Sequence, residues 1–249
     1  MRQARLRVPH RAGLIGMPET FDWPEDIRPR ECAFWLQANT TLLASPITSA
    51  AQALARPGAR FVCEISLDPV NAATSGRLDA LLARLQGPLN RVRLWDFRRA
   101  LPRGPAGSYG TPSPGTFAWT PGPSWTDGTT WVDGTQAALP EVRLAAARGA
   151  TEIATWGWAA NAVPLLAGDY VGLLGRAHML VEDAPNAGAL GRATLSVLPS
   201  LRDDVPAGTA IVVQRAAAPF RLVDNDQPAN RTRPGPFAAY ALRFIEDLT

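Results

Sequence analysis

The chain has 249 residues, enough for one large domain or two smaller ones with a true hydrophobic core. Apolar residues make up 46% and charged residues 19%, which excludes a disordered chain, while 21 glycines and 23 prolines favour a turn-rich β fold over a helical bundle. The net charge is only +3 and every basic residue is Arg, scattered rather than gathered with stacking aromatics, so no nucleic-acid groove is expected.

The N-terminal stretch carries Arg2, Arg5, Arg7 and Arg11 without a following apolar run, and no stretch has transmembrane length. A protein made and first folded in a cytoplasm is expected, without membrane insertion. Residues 1–30 read as irregular, punctuated by Pro9, Pro18, Pro24 and Pro29. Glu31–Ala38 then alternates, with Cys32, Phe34 and Leu36 on one face. Asn39, Thr40 and Thr41 read as a turn, after which Leu42–Ala44 continues outward. Arg60–Leu67 is the clearest strand, with Phe61, Cys63, Ile65 and Leu67 on one side and Val62, Glu64 and Ser66 on the other. Cys32 and Cys63 therefore both read as buried, reduced thiols.

One helix is expected over 75–86, capped by Thr74 or Ser75. Its Leu78, Leu81, Leu82 and Leu85 make a single apolar stripe, and Gly87-Pro88 ends it. Arg91–Phe97 follows as a strand, with Val92 and Leu94 opposite Arg93 and Trp95. The densest arginine group, Arg91, Arg93, Arg98, Arg99 and Arg103, falls on and just after it.

Residues 98–140 change character, becoming rich in Gly, Pro, Thr and Trp. Trp119-Thr-Pro-Gly, Trp125-Thr-Asp-Gly and Trp131-Val-Asp-Gly recur six residues apart. The three indoles suit either a glycan-stacking platform or anchors against neighbouring subunits. The second reading is preferred, because Trp and Arg dominate protein interfaces.

Strands return at Val142–Ala146, Glu152–Trp158, Leu165–Leu174, Ala177–Glu182, Ala193–Leu198, Ala210–Gln214 and Phe220–Val223. Gly175-Arg176 is expected to connect the fourth to the third. Short strands at this spacing mean a sandwich or small barrel. Tyr240–Ile245 alternates again and should dock into an existing sheet.

Together these elements define a mainly β protein: a β-sandwich with one packed helix plus a second, small β-barrel-like module. Residues 1–100 make the N-terminal domain, completed by strand 237–249. Residues 101–140 are an extended arm, and 141–236 the second domain.

Chemical signatures are scarce. His10 lies in the irregular N-terminus, and His178 on a strand reads as an outward-facing or edge residue. No Gly-x-Ser-x-Gly, HExxH or phosphate loop occurs, and Gly172-Leu-Leu-Gly175 opens no helix. The acidic clusters are Asp203-Asp204, Asp224 with Asp226, and Glu246-Asp247; Asp203-Asp204, in a turn before Pro206, reads as solvated, and no catalytic pair is expected. Asp224-Asn225-Asp226 has Asn230 where a calcium loop needs Gly. No cofactor, metal site or catalytic residue is expected, and a cell-wall-degrading enzyme is the weakest of the readings considered.

Three stretches carry a resemblance. They are Phe34–Pro46 running into Gln52–Phe61, the Leu helix 77–86 followed by Arg91–Asp96, and Leu166–Arg176 followed by Ala193–Arg202 and Pro219–Asp224. In pattern and order they resemble distal-tail and minor tail (baseplate) proteins of long-tailed bacteriophages. The resemblance implies a β-sandwich that assembles as a homo-oligomeric ring, commonly of six copies, in the virion. Such a ring joins the tail tube and tape-measure proteins to the baseplate hub and receptor-binding parts. It works by packing, with Trp119, Trp125 and Trp131 as candidate interface residues. A glycan- or receptor-binding module is the alternative.

Overall fold

A computed structural model describes residues 17–70, 72–104, 106, 139–225, 231–232 and 238–249. The protein is mainly β, with curled sheets forming half-barrels and one helix among the described residues.

The first sheet gathers strands from both ends of the sequence. β1 (Thr20–Asp22) pairs parallel with β6 (Arg91–Leu94), which pairs antiparallel with β12 (Ala218–Leu222). Next come β14 (Ala238–Glu246), β5 (Arg60–Val70) and β2 (Glu31–Gln37), with β13 (Arg231–Thr232) on the outer end of β14. The expected inner face of β5 is buried at Phe61, Cys63, Ile65 and Leu67, and Glu64 on the other face is exposed, but Val62, read with that outer face, is buried as well. Register pairs Phe34 with Cys63 and Leu36 with Phe61, so inner faces meet inner faces. Two expectations fail here. Residues 20–22 form a strand inside the stretch read as irregular, and Trp23 and Ile27 enter the core, the Trp23 indole N–H donating to the Ile27 carbonyl at 2.8 Å. Phe220–Val223, expected in the second module, is instead β12 of the first sheet, held between β6 and β14.

The helix α1 (Ala72–Leu85) lays Leu78, Leu81, Leu82 and Leu85 into this core. Burying each leucine stabilises the fold by about 1.5–3 kcal/mol. The helix begins before the expected cap, so Thr74 and Ser75 lie inside its first turn. It ends where expected: Gln86 and Gly87 turn left-handed, with φ of 51° and 64°.

The second sheet runs β7 (Glu141–Val142), β8 (Glu152–Trp156), β11 (Ala193–Leu198), β10 (Arg176–Leu180), β9 (Tyr170–Leu173). Ala210–Gln214 is not a strand. It makes single bridges from Ala210 to Glu141 and from Val212 to Gly172, touching both edge strands of the curled sheet. Ile211 and Val213, alternating with those bridges, fill the second core. At Gly172 a Cβ would sit 3.1 Å from that of Val212, which explains the glycine in this strand. The β9–β10 turn is Leu174-Gly175, both left-handed, one residue earlier than expected.

The two cores share a wall. From the β9–β10 hairpin, Val171, Leu173 and Leu180 enter the second core, whereas Tyr170, Ala177 and Met179 pack on the first. The Tyr170 ring lies edge-on to Phe34 at 5.6 Å, a favourable aromatic geometry.

Candidate subunit interface

Between β2 and β5 the chain makes an excursion that joins neither main sheet. β3 (Thr40–Ala44) and β4 (Ala51–Ala55) form a separate two-stranded sheet in strict antiparallel register, Thr40 opposite Ala55 through Ala44 opposite Ala51. The turn expected at residues 39–41 is therefore displaced, since Thr40 and Thr41 already belong to β3. Five residues per strand give the arm a reach of about 17 Å before its tip.

Local chemistry explains the shape. At the tip, Pro46 follows Ser45, whose Oγ accepts from the amides of Ile47 and Thr48 at 3.4 and 3.3 Å. Ser49 takes a φ of 55°, and the Ser45 amide donates to the Ala50 carbonyl at 2.8 Å. At the root, the Asn39 side-chain amide donates to the Pro57 carbonyl at 2.8 Å, and Arg56 N–H to the Asn39 carbonyl at the same distance.

The surface of this arm is unusual for an exposed ribbon. From Cys32 to Ala55 there is no charged residue. Leu42 is 67% exposed, Leu43 56%, Ile47 91% and Leu54 49%. Paired positions share a face, so Leu43 and Leu54 lie on one side with Thr41 and Gln52, and Leu42 lies among alanines on the other. Among the described residues, each strand also has one open edge of backbone donors and acceptors. Edges on stable monomers are normally blunted by charge, proline or bulges. This ribbon has none of these along its strands.

The arm was missed as a site in the sequence, although the charge-free run was its signal. Trp119, Trp125 and Trp131, together with most of the 101–140 stretch, lie outside the described residues, as do Arg2, Arg5, Arg7, His10, Arg11, Asp226 and Asn230.

The dense arginine group is spent on the protein itself. Arg91 pairs with Asp247, Arg93 with Asp22 at 3.1 Å, and Arg98 grips the buried Asp96 with two nitrogens at 3.0 Å. Arg99 donates to the Gly168 carbonyl at 2.6 Å, and Arg103 pairs with buried Asp169 at 3.1 Å. These last two tie the segment after β6 to the loop before β9.

His178 corrects an expectation: it is only 2% exposed, on an interior strand of the second sheet. Its Nδ1–H donates to the Pro199 carbonyl at 2.8 Å, and burial holds the imidazole below its ordinary range. It is a packed, neutral histidine. Glu246 and Asp247 are both buried. Burial pushes the Glu246 carboxyl up, although its Oε2 accepts from Phe61 N–H at 2.8 Å. Burial also opposes ionisation of Asp247, but hydrogen bonds from Arg221 and Thr249 outweigh it and hold that carboxyl down. The two side chains serve different partners rather than a common cleft. Asp203 pairs with Arg176 at 3.7 Å, and Asp204 accepts from Arg148 N–H at 2.8 Å.

Among the described residues, no group of three or more His, Cys, Asp or Glu side chains is placed to hold a metal ion, and no helix is long and apolar enough to cross a membrane. No protein-family model matches the chain, and no curated protein matches it significantly.

Proposed function

We propose that this chain is a structural component of a bacteriophage tail tip or baseplate, forming a ring that connects the tail tube to the hub and receptor-binding parts. The observation that carries the reading is the β3–β4 arm: an uncharged ribbon with exposed leucines on both faces and two open edges. Alone in water it exposes apolar surface at a free-energy cost. Seated on the next copy, it gains backbone hydrogen bonds along an edge and buries its leucines. An arm that docks on a different patch of its neighbour makes a head-to-tail contact, and such contacts close into rings when the rotation allows. In this reading the chain works by packing and turns over no substrate. The mainly β fold and the order of elements that resembles distal-tail proteins agree with it.

Native mass spectrometry of the purified chain tests the idea. Rings are expected for the wild type, and monomers for Leu43→Glu combined with Leu54→Glu, with an unchanged circular dichroism spectrum. A wild type that stays monomeric at high concentration, or a double variant that assembles as well as wild type, rules the reading out.

A further inference from the structure

We propose that Cys32 and Cys63 form a reactive dithiol on the inner face of β2 and β5, which exchanges with low-molecular-weight disulfides and closes into a cross-strand bridge between the two strands. The sequence reads both as buried, reduced thiols, but only Cys63 is buried; Cys32 is partly exposed, and neither is in a disulfide. Cys32 stands opposite Ile65, and Cys63 opposite Phe34, so the cysteines are diagonal neighbours on the same face of two paired strands. Both side chains face the first core, at neighbouring positions of the paired strands.

The surroundings make the two sulfurs unequal. Cys32 is held below the ordinary thiol range, first by the hydrogen bond from Cys63, then by the Phe97 amide and the Arg98 charge, against burial and the Asp96 carboxylate. Cys63 is pushed up by the same hydrogen bond and by burial. An accessible sulfur favouring thiolate beside a buried thiol is the arrangement of an attacking and a resolving cysteine.

The exchange balances in two steps. The Cys32 thiolate attacks one sulfur of the small disulfide, forming a mixed disulfide and expelling one small thiolate. The Cys63 thiol loses its proton, attacks the Cys32 sulfur and expels the second. Two protein thiols are oxidised, and one disulfide is reduced to two thiols. Diagonal positions on neighbouring strands stand about 7–8 Å apart, against about 4.4–6.8 Å for the Cα atoms of a relaxed disulfide. Closure therefore draws β2 towards β5. β2 is an edge strand, paired among the described residues with β5 alone, so closure has one ladder to displace. A bridge formed under such strain is readily reduced again. Closed, it encircles residues 33–62 and fixes the two strands from which the arm springs.

The test treats the folded full chain with glutathione disulfide, then alkylates free thiols and maps peptides by mass. The wild type should lose both thiols and yield one peptide pair joining Cys32 to Cys63, reversibly with reductant. Cys63→Ser should stop at the mixed disulfide on Cys32, and Cys32→Ser should leave Cys63 unmodified until denaturant is added. Should Cys63→Ser fold poorly, the wild-type map decides alone. Retention of both thiols, or linkage between separate chains instead, overturns the proposal.

Discussion

Two hairpins in this molecule have opposite fates. The β9–β10 hairpin is buried on both sides, between the two cores, and every residue of β9 is hidden from solvent. The β3–β4 hairpin has a comparable share of apolar residues and an equally regular ladder, yet all of β4 is exposed. Apolar composition fixes how much a ribbon gains from being covered; the neighbouring strands decide whether its own chain does the covering. For β9–β10 that neighbour is β11 along one edge and the bridge from Val212 along the other. For the arm there is none among the described residues.

The sharpest way to break this contrast is to remove the same side chain from each hairpin. Leu173→Ala empties a fully packed site and should cost about 2–5 kcal/mol in urea unfolding. A loss below 1 kcal/mol, allowing for scatter in such series, would show that the wall between the cores is loosely packed. Gly172→Ala attacks the same hairpin by overfilling it, with the new methyl 3.1 Å from the Val212 Cβ. A loss of about 1–3 kcal/mol is expected, and a neutral result would mean that Val212 moves aside freely.

A gentler probe is pH. The imidazole of His178 is depressed in the folded chain, so the unfolded chain binds that proton more readily. The stability it protects is present above the unfolded value of about 6.5 and is lost as pH falls towards the folded one. Urea midpoints for wild type should drop across that window, and His178→Gln should flatten the His-dependent part of the slope; identical slopes would contradict a buried neutral ring. Smallest of all, Leu54→Ala on the arm should leave the unfolding free energy of the dissociated chain within about 0.5 kcal/mol of wild type. A cost like that of Leu173→Ala would mean the arm is packed within its own protomer.

Much of the first sheet was legible because period two is a local signal. Phe61, Cys63, Ile65 and Leu67 could only be one face of a strand, and the four leucines of α1 only one stripe of a helix. Partners were less legible. Phe220 and Leu222 announce an inner face, but nothing in their spacing says whether that face joins the nearby strands or ones more than a hundred residues back. His178 was misplaced for a related reason: a lone histidine on a strand carries no mark of the carbonyl at Pro199 that satisfies it. Ala210–Gln214 has strand alternation without a continuous ladder, because its pairing residues reach two different strands. The arm sat between these cases. Its outward course from Leu42 could be read, but its exposure on both faces depends on what fails to pack against it.

β14 occupies the middle of the first sheet, with β12 on one side and β5 on the other. A ribosome that has released β5 and α1 must still add well over a hundred residues before the strand that unites them exists. At roughly 5–20 residues per second that interval is on the order of ten seconds. During it the leucines of α1 and the inner face of β5 have no β14 to close over them. Nascent-chain holding factors would therefore meet the early half of this protein first, and newly made copies would become competent only after the last strand had slid home.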